Sequence, residues 1–278
     1  MLRLLMAYVL ALGAVRAQQP QNPSPMVEHT RAHPRLKEVS PPGRREALDL
    51  GGLFLPRGVR TTTLLVFFHG GTWLPELAGA RNRMAVVSVQ AGSGSATYAR
   101  LFTDEARFPA LIKEAETKAG VRFSRVILGG WSAGCGAVRQ ILRSEEGYKR
   151  ASAVVLIDGI HTDYENGRPG PQESQLTPDN LAIWEKYFRD AMAGKKRAIV
   201  THSEIFPGTF ASTTETSDYL VRALDLTRHA VVKWGPMKTQ QLSEVRSGKL
   251  LIMGFAGNSA PDHVDQLHSL PDYLKLIK

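Results

Sequence analysis

The chain predicts an α/β fold, a mostly parallel central sheet with helices on both faces, and three observations carry that prediction. Apolar, β-branched runs alternate with stretches of helical spacing along most of the 278 residues. Several of those runs are uninterrupted by polar residues, as strands covered on both faces are. No internal repeat divides the chain, and one α/β domain of this length buries a substantial core.

Residues 1–17 read as a secretory leader: Arg3 is the positive start, Leu4 to Val15 the apolar run, and Val15-Arg16-Ala17 sets small residues before a cut after Ala17. The run is too short to span a bilayer, so no integral membrane span is expected and the destination is secreted or periplasmic. Residues 18–45 hold six prolines (Pro20, Pro23, Pro25, Pro34, Pro41, Pro42) with little apolar periodicity, the composition of an extended, poorly ordered arm. A single domain then fills residues 46–278. Its first strands are Ala47 to Leu55 and Thr61 to Phe68, separated by Pro56-Arg57-Gly58. Met84 to Val89 is the next strand, followed by a Gly92-Ser93-Gly94-Ser95 loop. Thr103 is expected to cap a helix with Phe108, Leu111, Ile112, Ala115 and Ala119 on one face.

Arg125 to Leu128 is a buried strand that runs into Gly129-Gly130-Trp131-Ser132-Ala133-Gly134, and Ala133 to Arg143 has helical spacing. Ser132 therefore stands at a strand-to-helix corner. Glycines on either side let the two elements pass closely and hold the serine backbone in a strained conformation. Ala153 to Ile157 is a clean apolar strand that stops at Asp158-Gly159. Thr177-Pro178 opens a helix with Leu181, Trp184, Tyr187, Phe188 and Ala191 on one face, a cover for the core or a lid. Ala198 to Thr201 is a short strand ending at His202-Ser203-Glu204, and Ser212-Thr213-Thr214-Glu215 is a capping box, which makes Glu215 a cap. Ala230 to Trp234 is a minor strand and Lys249 to Phe255 the last strong one. Asp262-His263 and an amphipathic terminal helix follow.

Cys135 is the one cysteine, so no intramolecular disulfide can form and the fold rests on its core. Three residues past Ser132, it reads as a small buried hydrophobe. The net charge of +9 is spread along the chain with no basic block rich in aromatics. Removing Arg3 and Arg16 with the leader leaves it basic. That pattern speaks for solubility and against a nucleic-acid partner.

Val66-Phe67-Phe68-His69-Gly70-Gly71-Thr72-Trp73, Gly130-Trp131-Ser132-Ala133-Gly134 and Asp262-His263 together resemble the α/β-hydrolase family, over nearly the whole chain after the leader. The resemblance implies the chain order serine, acid, histidine. It also implies an oxyanion hole built from the N–H of Ala133 and an N–H from the loop after an earlier strand, here Gly71 or Thr72.

Ser132 is a weak nucleophile until a histidine takes its proton, and that histidine needs a carboxylate to fix its tautomer. Of the eight histidines, His263 stands where the family places its base; His268 lies inside the following helix and His229 precedes a minor strand. Two carboxylates compete for the acid. Asp158 ends a strongly apolar strand, where a charge needs a purpose to offset its desolvation, and is preferred; Glu204, past the next strand, is second. Asp262 adjoins His263 and is disfavoured, because neighbouring side chains seldom face each other. His69, His161 and His202, with Asp158, Asp163 or Asp262, admit a metal reading, but no recognised ligand spacing supports it, and lining a pocket is the preferred account. No cofactor is predicted. The reading is an exported serine hydrolase that cleaves a small-molecule or polymeric ester through an acyl-enzyme. The alternative is a binding or envelope-associated protein that kept the elbow without the chemistry.

Overall fold

The computed structural model describes residues 35–167 and 175–277; the expected leader and most of the expected arm lie outside them. The strands are β1 (Gly43–Ala47), β2 (Gly52–Pro56), β3 (Thr63–Phe68), β4 (Ala85–Val89), β5 (Arg125–Trp131), β6 (Ala151–Ile157), β7 (Arg197–His202), β8 (His229–Trp234), β9 (Gln240–Ser247) and β10 (Leu250–Phe255). They form one sheet in the order β1-β2-β4-β3-β5-β6-β7-β10-β9-β8. The six strands from β4 to β10 in that order are parallel. An antiparallel pair extends each edge, β2 and β1 on one side, β9 and β8 on the other.

Alternation along each parallel strand sends side chains to two separate cores. Leu64, Val66 and Phe68 of β3, with Val126 and Leu128 of β5, meet α3 (Arg107–Ala119), α4 (Cys135–Arg143), α6 (Ala182–Met192) and α7 (Thr213–Ala223). Leu65 and Phe67, with Ile127, point the other way, to α1 (Trp73–Asn82), α8 (Ala260–His268) and α9 (Leu270–Tyr273). Helices therefore cover both faces, as the sequence predicts. Trp184, Tyr187 and Phe188 of α6 are buried in the first core, so that helix flanks the sheet and is no lid. Two short helices, Ser95–Arg100 (α2) and Glu145–Arg150 (α5), complete the set. No helix among the described residues is long and apolar enough to cross a membrane.

Three expectations change. The strand expected over Ala47 to Leu55 is split: the Leu48 N–H donates to Gly51 O at 3.0 Å, and β1 pairs back on β2. The arm accordingly ends before residue 43, not at 45, because the charged Arg44-Arg45-Glu46 belongs to an edge strand, where charges are tolerated. The residues just before it are also docked: Arg35 Nε donates to Asp265 Oδ1 at 2.7 Å, a second guanidinium nitrogen donates to Pro261 O, and Leu36 packs on the second core. Thr103 is not a cap. α3 starts after Ala106, and the Thr103 hydroxyl donates to Arg100 O.

The elbow is the tightest junction between β5 and α4. A Cβ on Gly134 would lie 2.0 Å from Phe68 O at the end of β3, and one on Gly130 would lie 2.7 Å from Cys135 N. Backbone on both sides leaves nothing to move aside. Gly134→Ala should therefore cost about 2 kcal/mol or more, as overpacking against rigid structure does, and lower the melting temperature by roughly 4–8 °C. A melting curve matching that of the wild type would show that the junction can widen.

Candidate active site

Ser132 has φ 50°, a left-handed backbone that costs a non-glycine residue about 1–2 kcal/mol. The cause is the elbow: β5 stops at Trp131 and a 3-10 turn, Ser132–Gly134, feeds directly into α4. Ala133 is buried in that turn. Cys135 is buried beneath it, its Sγ donating to Gly130 O at 3.2 Å, and burial pushes the thiol up. That is the packing role expected of it.

Asp158 caps β6 in the same left-handed region, φ 45°, and is buried. Its carboxylate accepts four hydrogen bonds. Oδ1 takes the Ser203 N–H at 2.9 Å and the Thr213 hydroxyl at 2.6 Å; Oδ2 takes the Ser203 hydroxyl at 2.7 Å and His263 Nδ1–H at 2.7 Å. Burial alone would raise its pKa. The bond and charge of His263, then the Thr213 and Ser203 hydroxyls, outweigh that and hold the carboxyl well below the usual carboxylate range.

His263 lies in the first turn of α8, set there by the capping box of Ser259 and Asp262, where the Ser259 N–H and hydroxyl both donate to Asp262 Oδ2. Trp131, the residue before the serine, supports it from the sheet: its indole Nε1–H donates to His263 O at 3.0 Å, and the two rings sit 4.5 Å apart. His69 stacks on the same indole at 5.0 Å, and its Nδ1 meets the Tyr98 hydroxyl at 3.0 Å. That hydroxyl already accepts the Ala91 N–H, so it is free to donate to the ring. Burial, then the nearby His263, lowers the His69 pKa and keeps its ring neutral.

With Nδ1 committed to Asp158, His263 has Nε2 left for the serine. Ser132, Asp158 and His263 line one cavity of about 250 Å³ with Thr213, His161 and the apolar Ile205, Pro207, Phe210 and Ala260. A serine, a histidine and a carboxylate thus line one cavity at the C-terminal edge of the parallel strands.

The other candidates are placed elsewhere. Glu204 is exposed and ties two loops together, its N–H donating to Gly257 O at 2.9 Å and its Oε2 accepting the Gly257 N–H at 3.3 Å. Gly71 ends a run of three left-handed residues, His69 (74°), Gly70 (92°) and Gly71 (84°). Its N–H donates to Gln90 Oε1 at 3.2 Å, and Gln90 returns a bond to Gly71 O. Thr72 is exposed and precedes α1. His202 is buried between the Thr214 hydroxyl and Arg228. Among the described residues no three metal-ligating side chains converge. Sequence reasoning missed Ser203, Thr213 and Trp131. Only Trp131 carried a signal, as the variable position inside the elbow motif.

No family model matches the chain, and a search of curated proteins finds no match. Solved structures do resemble it. An ester hydrolase from the metagenome of Lake Arreo, complexed with a bipyridine phosphonate derivative, is 14% identical, covers 86% of this chain and 84% of its own, and gives a TM-score of 0.47. A poly(3-hydroxybutyrate) depolymerase from Bordetella parapertussis is 15% identical over 81% of this chain and 88% of its own, with a TM-score of 0.47. An acetyl xylan esterase from Aspergillus awamori is 11% identical over 86% and 100%, with a TM-score of 0.44.

Two histidines set a pH dependence. Burial first, then the charge of Arg228, pushes His202 down to about 4, and burial first pushes His161 down to about 4, from an ordinary value of 6.5. Between those values the unfolded chain binds protons that the native state refuses, so stability falls as pH falls. The melting temperature should drop steadily from pH 6.5 toward 4. His202→Gln should flatten the stability slope in that window by about one proton, roughly 1.4 kcal/mol per pH unit. An unchanged slope in the variant would mean that His202 titrates normally.

Proposed function

From an α/β-hydrolase fold carrying a serine elbow and the chain order serine, aspartate, histidine, we propose an exported serine hydrolase that cleaves a carboxylic ester through an acyl-enzyme. The observation that carries this reading is the 2.7 Å bond between His263 and Asp158 beside the elbow Ser132 in a single cavity. Ser132 Oγ attacks the ester carbonyl while His263 Nε2 takes its proton. The imidazolium, held by ionised Asp158, then passes that proton to the departing alcohol. Water, deprotonated by the same Nε2, releases the acid and restores the serine.

The N–H of Ala133 and that of Gly71 or Thr72 receive the oxyanion in this reading. Gly71 is available once the Gln90 carboxamide gives up its N–H. That same bond favours the second reading, a binding protein on the hydrolase fold, since it occupies a donor that catalysis needs. A fluorophosphonate probe separates the two. The enzyme labels at Ser132 and Ser132→Ala does not; a folded wild type that resists the probe is the binder.

The acid assignment has its own test against a nitrophenyl ester. Asp158→Asn should keep the fold and lower turnover by about four orders of magnitude, because the amide favours the wrong imidazole tautomer. Glu204→Gln, whose side chain accepts the Gly257 N–H and lies outside the Ser132 cavity, should have a mild effect. Crippling of Glu204→Gln instead would move the acid to the end of β7.

Export rests on the character of residues 1–17. Protein recovered from the native host should begin at Gln18. A membrane-bound form that still begins at Met1 would replace secretion with anchoring.

A further inference from the structure

One polar side chain in the cavity has no part in the serine chemistry. Ser132, His263 and Asp158 have roles in the proposed reaction, and Thr213 holds Asp158. Ile205, Pro207, Phe210 and Ala260 are apolar. His161 remains. Its backbone carbonyl accepts from Arg139 Nη1 at 3.2 Å, and its ring meets Phe210 edge to face at 5.2 Å, an interplanar angle of 84°. The backbone is thus held on one side and the ring packed on the other. Its Nδ1 is shut off from solvent and has no hydrogen-bond partner among the described residues.

An imidazole set in an apolar cavity with one nitrogen unbonded is a standing cost, of order 1–3 kcal/mol for a buried polar group. Phenylalanine or leucine would fill the same space without it. Burial pushes this ring down to about 4, so it is neutral at ordinary pH, and with Nδ1 sealed it offers Nε2 to the cavity, as donor or acceptor according to its tautomer, without charge. A neutral imidazole beside ionised Asp158 gives a carboxylate or phosphate no counter-charge. It does suit a neutral hydroxyl, which can donate to Nε2 or accept from it.

We propose that His161 is a specificity-determining residue: it takes a hydrogen bond from, or gives one to, a neutral hydroxyl on the ester held in the Ser132 cavity, so the preferred substrates are hydroxylated esters. The inference rests on the hydrolase reading given above and narrows its substrate class. The hydroxyl can belong to the acyl part or to the alcohol part, and two pairs of substrates separate these.

The acyl pair is 4-nitrophenyl 3-hydroxybutyrate against 4-nitrophenyl butyrate. The alcohol pair is 2-hydroxyethyl butyrate against propyl butyrate. Within each pair the quantity read is the ratio of kcat/KM, hydroxylated over plain, which does not depend on how much of a preparation is folded. Wild type should favour the hydroxylated member of one pair by about tenfold, the usual effect of one hydrogen bond. His161→Phe should bring that ratio to about one, and His161→Gln, which keeps a donor and an acceptor, should retain part of it.

A wild-type ratio near one in both pairs would overturn the proposal, and so would a preference that survives in His161→Phe. Fluorophosphonate labelling of the same preparations tells the two failures apart. Labelled wild type without preference sinks this inference alone, whereas wild type that neither labels nor hydrolyses any of the four esters sinks it together with the hydrolase reading.

Discussion

A single buried carboxylate constrains the architecture around the cavity. Asp158 is ionised where almost no water reaches it, and an isolated charge there would cost several kcal/mol. The fold offsets this by bringing three further segments to one point: Ser203 from the end of β7, Thr213 from the first turn of α7, and His263 from the first turn of α8. Three of the four bonds do not involve the histidine. The carboxylate is therefore held in place by the sheet edge and α7, and the imidazole aligns to an acceptor already in position.

The opposite side of His263 is organised by rings. Trp131 ends β5 immediately before Ser132, and it also supports the carbonyl and ring face of His263. His69 extends the stack toward Tyr98 and the loop that ends at Gly71. Since burial lowers the His69 pKa, the stack brings no positive charge toward His263 at ordinary pH. The end of β5, His263 and the glycine loop thus share one stack of rings.

How much of this the sequence discloses depends on the physics of each part. The parallel strands were legible because burial on both faces forces unbroken apolar runs such as Leu64 to Phe68 and Val154 to Ile157. The elbow was legible because Gly130 and Gly134 leave no room for a side chain, and the Ser212 and Glu215 box because it is local. Three other elements were not. β1 is mostly charged, β9 is largely polar between its two antiparallel partners β10 and β8, and α1 carries Pro75 and Gly79 within a weakly patterned ten residues. The cage of Asp158 was hidden for a different reason: Ser203 and Thr213 are ordinary residue types whose meaning comes from contacts 45 and 55 positions away.

The attachment of Arg35 also sets a load path. Its guanidinium grips Asp265 and Pro261, both on α8, and Leu36 beside it is seated on the second core. Tension applied at Arg35 is therefore borne in part by the helix that carries His263. A surface tether at that end would load the imidazole's own support, whereas one placed on the β8 and β9 edge would leave that support slack.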